Sequence, residues 1–201
     1  VTASECVREA AVDALGVHGG RAFLVGHPLG DSFHDHFAVT IYEGESDLLG
    51  LALFKGLAKH HPLASAESRS AMQWLAWRVS RMAAPASRDV RGILDRELRG
   101  HARDARRQLA RMAVRIDRAI RMHGRSLADR QLFVGQLAAA VRGLIGIIAV
   151  AHRADMLGDD LSLLAGHCWC RLALARSAGR HPRPADLSLL ATLGRATLPG
   201  S

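Results

Sequence analysis

Residues 90–123 read VRGILDRELRGHARDARRQLARMAVRIDRAIRMH, and this stretch decides the fold class. Leu94, Leu98, Ala102, Ala105, Leu109, Met112, Ile116 and Ile120 recur at three- and four-residue steps, the spacing that lines side chains up on one face of an α-helix. Arg103, Arg107, Arg111, Arg115 and Arg118 fall opposite them, so the pattern predicts one long amphipathic helix over 90–123 with a basic outer stripe.

Working outward, the sequence keeps the same period. Ser126 reads as the N-cap of a helix over 127–156, whose apolar run 132–151 contains Gln136 and Arg142 and therefore reads as a buried bundle helix rather than a membrane span. A helix from Asp160 or Ser162 to Ala178 follows, and after His181-Pro182-Arg183-Pro184 a last one over 185–193. Upstream, 66–82 carries Met72, Leu75, Trp77, Val79 and Met82 and is closed by Ala84-Pro85. The N-terminal part predicts a helix over 4–15, ended by Gly16 to Gly20. A second begins at Asp31 as N-cap and runs to Tyr42, burying Phe33, Phe37 and Ile41. A third, capped by Ser46 or Glu45, runs through Leu49, Leu53 and Leu57 to His61, before Pro62. Long helices joined by short Gly or Pro breaks predict an all-α antiparallel bundle.

Composition agrees with that class. Of 201 residues, 49% are hydrophobic and only 4% aromatic, a balance of Ala- and Leu-rich helices rather than of sandwiches or barrels. The net charge of +8 is carried almost wholly by arginine, Lys55 and Lys59 being the only lysines. Charge alone is a weak pointer to a polyanion, and five Phe, three Trp and one Tyr are too few for a base-stacking platform, so nucleic acid is disfavoured as a partner. Cys6, Cys168 and Cys170 are odd in number and show no framework spacing, which fits a reducing compartment and makes the cytoplasm the expected location. The opening at Val1, straight into an amphipathic pattern, reads as part of a longer product.

One polar interruption stands apart from the helical pattern. Ile41-Tyr42-Glu43-Gly44-Glu45-Ser46-Asp47 separates the apolar run Phe37-Ala38-Val39-Thr40-Ile41 from the apolar helix that begins at Leu48. A carboxylate at a junction of packed segments is partly desolvated, which disfavours its charged form and makes it a better base toward a weak carbon acid. Glu43 is the lead catalytic candidate on those grounds.

The first sixty residues resemble the C-terminal helical domain of acyl-CoA dehydrogenases, which has a helix, a Gln-x-x-Gly-Gly-x-Gly loop, an Arg-Asp helix and a Tyr-Glu-Gly-Thr motif. The corresponding stretches are Gly16-Val17-His18-Gly19-Gly20-Arg21-Ala22-Phe23, Pro28, His34-Asp35 and Ile41-Tyr42-Glu43-Gly44-Glu45, in order and without a gap. The rest of the chain is similar to the additional helical region of the very-long-chain branch, in which an aspartate also occurs at the place of Asp47. The resemblance divides the chain into 1–62, part of the catalytic helical domain, and 63–201, the additional one.

It implies an FAD-dependent α,β-dehydrogenation of acyl-CoA thioesters in fatty acid β-oxidation. Glu43 takes the α proton, Gly44 meets the thioester through its backbone, hydride passes to the flavin, and Gly16, Gly19, Gly20, Glu45 and Asp47 lie at flavin contacts. It further implies partners: the N-terminal helical and middle β domains, an electron-transfer flavoprotein or other acceptor, and further copies in a homo-oligomer. Four positions depart from the family: Gly16 stands for its flavin-contacting glutamine, Ala22 for its third loop glycine, His34 for its arginine, and Glu45 for its threonine. Glu45 puts a negative charge beside an anionic cofactor. These departures motivate a second reading, a catalytically degenerate homologue serving as a structural or interaction subunit. A third is a basic helical module for anionic membrane or nucleic acid. The arginine stripe reads first as a solvated face and, through the resemblance, as a peripheral contact with anionic lipid.

The other polar clusters read as structural. His167-Cys168-Trp169-Cys170 lacks the second spaced pair of a zinc site, and Cys168 and Cys170 diverge by about 200° on a helix, so no metal centre is expected there. His34-Asp35-His36 and His60-His61 read as helix-end and surface residues, and Trp74 and Trp77 as packing against the bundle.

Overall fold

The computed structural model describes residues 2–42, 46–59, 61, 71–82, 90 and 92–197. Among the described residues all regular structure is helical: α1 (Thr2–His18), a 3-10 turn (Gly19–Phe23), α2 (Pro28–Asp31), α3 (Phe33–Tyr42), α4 (Ser46–Lys59), α5 (Ala71–Met82), α6 (Arg96–His123), a second 3-10 turn (Gly124–Asp129), α7 (Gln131–Leu157), α8 (Asp160–Ser177) and α9 (Pro184–Thr197). The expected all-α class holds.

The helix expected over 90–123 is α6, which starts later than the apolar pattern does. Asp95 is its N-cap, its carboxylate accepting from the backbone N–H groups of Glu97 at 2.9 Å and Leu98 at 2.7 Å. Glu97 in the first turn and Arg121 and His123 in the last complement the helix dipole. The chain before it is held open by side chains: Asp155 of α7 accepts from the N–H of Leu94 and of Asp95, and Arg99 donates to the carbonyls of Ile93 and Leu94. Leu94 is therefore exposed rather than buried on the helix face. Leu98, Ala102, Ala105, Met112 and Ile116 are buried as the spacing requires, and the five arginines of the outer stripe are exposed.

α7 is the axis of the bundle, packed against α6, α8 and α4. Val134, Leu137, Ala138, Val141, Leu144, Ile147, Ala151 and Ala154 point from it into the core, and Phe54 of α4 and Cys170 and Leu174 of α8 join them. By length and composition Gln131–Leu157 could cross a membrane, but Arg142 within it pairs with Glu5 of α1 at 3.3 Å and its core face is covered by three helices. Ser126 does not cap α7; its hydroxyl donates to the carbonyl of His123 inside the second 3-10 turn, and α7 begins at Gln131. Gly158, at φ +69°, closes α7 by donating to Ala154, and Asp159 caps α8 through Ser162. The reversal takes two residues, so α7 and α8 run antiparallel, with α6 completing a three-helix core.

The close approach of α8 to α7 depends on Gly166, where a Cβ would overlap that of Ala154. α9 packs on α8 through Asp186, which is buried, accepts from the N–H of Arg183 at 2.8 Å and is met by Nε of Arg171 at 2.7 Å.

The N-terminal segment differs from expectation in three places. α1 runs past Gly16 to His18. Asp31 closes α2 instead of opening a helix, the N-cap being His27, whose ring accepts from the N–H of Leu29 at 3.3 Å. Ile41 is 70% exposed, whereas Phe33 and Phe37 are half-buried and in tilted ring contact, centroids 4.7 Å apart. In α5 Trp74 and Trp77 turn toward α6 and His61 as expected, but Met72, Leu75 and Val79 face out. Residues 66–70 of the expected helix lie outside the described residues.

Candidate functional site

α3 ends at Tyr42 and α4 begins at Ser46, so the polar stretch sits between consecutive helices as its composition suggests. Glu43, Gly44 and Glu45 lie outside the described residues, and Asp47 is described only as part of the first turn of α4. The glycine candidates are described in full. Gly16 lies in the last turn of α1, Gly19 takes φ +58° and Gly20 follows it in the 3-10 turn, and no atom lies within 4 Å of where a Cβ on any of the three would stand. Their backbone thus faces open space. Gly30 is different, since a Cβ there would overlap the carbonyl oxygen of Ala22, and Ala22 itself is fully buried. Around the open glycines stand Val17, Phe23, Leu24 and Val25, all exposed, with Ile41 and Leu48 exposed on α3 and α4. His34 and Asp35 are exposed, and His36 is half-buried against the Ser32 hydroxyl at 3.3 Å.

A second polar group lies inside the bundle. Asp117 of α6 is fully buried, with Oδ1 accepting from Nε1 of Trp74 at 2.7 Å and from Nε2 of His61 at 3.1 Å, and Oδ2 accepting from Arg121 at 3.0 Å. His61 is 4% exposed, which corrects its reading as a surface residue; His60 lies outside the described residues. Burial lowers the His61 pKa against the opposing pull of Asp117, because Arg121 already balances the carboxylate and a second buried cation is costly. Arg121 also lies over the Trp74 ring, 4.8 Å from its centroid. With three donors aimed at one carboxylate, the group ties α5 and His61, two residues beyond α4, to α6.

A third group joins α6 to α8. Nε2 of His101 and Nδ1 of His167 are 2.9 Å apart, and Nε2 of His167 meets the Glu97 carboxylate. Burial, followed by the neighbouring His167 and Arg171, lowers the His101 pKa. One turn along α8, Arg171 is held by Asp186. Cys168 and Cys170 are both buried, and burial raises the Cys168 thiol and pushes Cys170 up to about 12, its Sγ lying against the carbonyl of Ile147. Neither offers a thiolate near neutral pH, in keeping with core packing.

Against protein-family models, curated proteins and solved structures, the chain has no match.

Asp117, Asp186 and the link of Glu97 and His101 to His167 were not singled out from the sequence, where His167 was read only with Cys168 and Cys170. A signal existed for that link, since Glu97 and His101 are four apart and share a helix face. His167 is distant in sequence, and only the packing of α8 on α6 brings it to them.

Proposed function

We propose that the chain is the C-terminal part of an FAD-dependent acyl-CoA dehydrogenase, with Glu43 as the base that takes the α proton of an acyl-CoA thioester. The observation that carries this is order. A helix is followed by the Gly19-Gly20 turn, Pro28 opens the short α2, α3 carries His34-Asp35, and Tyr42 and Ser46 end and begin the helices flanking Glu43-Gly44. The fold that goes with the reading is the family's C-terminal helical domain over 1–62 and an additional helical region over 63–201.

The chemistry asks for a carboxylate because an α proton is weakly acidic, and desolvation at a helix junction brings the base toward its substrate. Backbone N–H groups near Gly44 would stabilise the enolate that develops on the thioester oxygen. FAD, when bound, supplies the hydride acceptor. The open backbone at Gly16, Gly19 and Gly20 fits the close approach of such a cofactor, and these residues with Glu45 and Asp47 would hold it. The exposed Val17, Phe23, Leu24 and Val25 are an apolar surface of the kind that the catalytic domains preceding this region would cover.

A second reading, a homologue that has lost catalysis and serves as a structural subunit, is favoured by Ala22, whose methyl is packed into the fold where the family keeps a loop glycine. FAD content separates the two. One FAD per complete polypeptide supports the dehydrogenase, and a polypeptide purified without flavin, and not reconstituted by added FAD, supports the structural subunit.

A further inference from the structure

We propose that His101 and His167 form a two-imidazole chelating site for a divalent transition metal ion, with Glu97 behind His167 as the carboxylate that orients it. This is independent of the dehydrogenase reading and involves the opposite part of the chain.

Two ligand nitrogens at about 2.05 Å from one ion and at a right angle to each other stand about 2.9 Å apart, the cis spacing of tetragonal Cu(II) or Ni(II). Nε2 of His101 and Nδ1 of His167 stand 2.9 Å apart, with the ring planes at 75°. The carboxylate comes next. Glu97 meets Nε2 of His167, and in the neutral ring a carboxylate there holds the proton on Nε2 and leaves Nδ1 with its lone pair toward His101. A carboxylate on the far nitrogen of a ligating imidazole is the usual outer partner in metal sites.

Proton balance also permits it. With both rings neutral, a single proton lies between the two nitrogens, and binding requires only that His101 carry its proton on Nδ1 instead. Arg171, the guanidinium that acts on His101, is paired with Asp186 at 2.7 Å. Both imidazoles stand on rigid helices beside buried neighbours, Leu98 and Ala102 on α6 and Gly166 and Cys168 on α8, so the spacing is fixed by the core. His101 and His167 are both half-buried, which puts the pair at the rim of the core rather than inside it. Among the described residues no three His, Cys, Asp or Glu side chains gather around one point, so water fills the remaining positions. The other close histidine pair, His18 and His27, lacks this preparation, because the His27 ring already accepts from the backbone of Leu29.

The test is titration of the chelator-treated chain with Cu(II) and Ni(II) by calorimetry, with electron paramagnetic resonance on the copper form. The expected result is one ion per chain, two coordinated imidazole nitrogens, at least tenfold weaker binding in His101→Ala and in His167→Ala, and 10- to 100-fold weaker binding in Glu97→Gln. Glu97 is 71% exposed, so Glu97→Gln and the resonance spectrum of the unaltered chain stay readable should either truncation unfold the bundle. Absence of stoichiometric binding, a spectrum with fewer than two imidazoles, or affinity unchanged by Glu97→Gln overturns the proposal.

Discussion

Nε1 of Trp74 donates to Oδ1 of Asp117 across 2.7 Å, joining α5 to the one fully buried carboxylate described in α6. Since His61 and Arg121 meet the same carboxylate, removing it leaves a buried imidazole, an indole N–H and a guanidinium without their acceptor. Asp117→Ala is expected to cost about 3–5 kcal/mol in urea unfolding. A loss below about 1 kcal/mol would show that the group is solvated in solution.

Two glycine substitutions should move stability in opposite directions. Gly166→Ala drives a methyl against Cβ of Ala154 and is expected to cost about 1–3 kcal/mol despite the better helix propensity of alanine. Gly143→Ala, in α7 with nothing within 4 Å of the new methyl, should gain about 0.5–1 kcal/mol. Thermal melts of the pair give the comparison, and equal shifts would refute the close α7–α8 packing.

Acid should weaken the fold in two steps. His61 and His101 both have folded pKa values below the ordinary 6.5, so the unfolded chain takes up their protons first as pH falls. Their contribution is complete above pH 6.5 and is lost below it. Asp155, held low by the N–H groups of Asp95 and Leu94, contributes above its ordinary 3.8 and loses that as pH falls further. The Tm at pH 5.5 should lie below that at pH 7.5, with a smaller difference in His101→Gln. A Tm that rises on acidification would mean the imidazoles are stabilised as cations.

The sequence carried the bundle further than it carried the polar sites. Leu98, Ala102, Ala105, Met112 and Ile116 declare α6 by spacing alone, because a helix buries one face at a fixed period. Leu94 continues that period yet lies outside the helix, since Asp155, sixty-one residues away, captures its N–H and Asp95 starts the helix instead. In α5 the two indoles pack against the bundle as read, but Met72, Leu75 and Val79 face out, since the helix turns the Trp74 N–H toward Asp117. His61 looked like a surface residue at a helix end because its partner is fifty-six residues distant. Local periodicity finds helices, whereas partners for buried polar atoms come from tertiary packing that no window of sequence contains.

The central claim concerns Glu43. Its most direct measurement is anaerobic reduction of flavin by acyl-CoA in the complete FAD-containing polypeptide, followed as bleaching of the flavin absorbance and compared with Glu43→Gln. Reduction is expected in the unaltered enzyme, with a rate at least about 100-fold lower in the variant, the usual worth of a positioned general base. Flavin reduction at the parental rate in Glu43→Gln would contradict it.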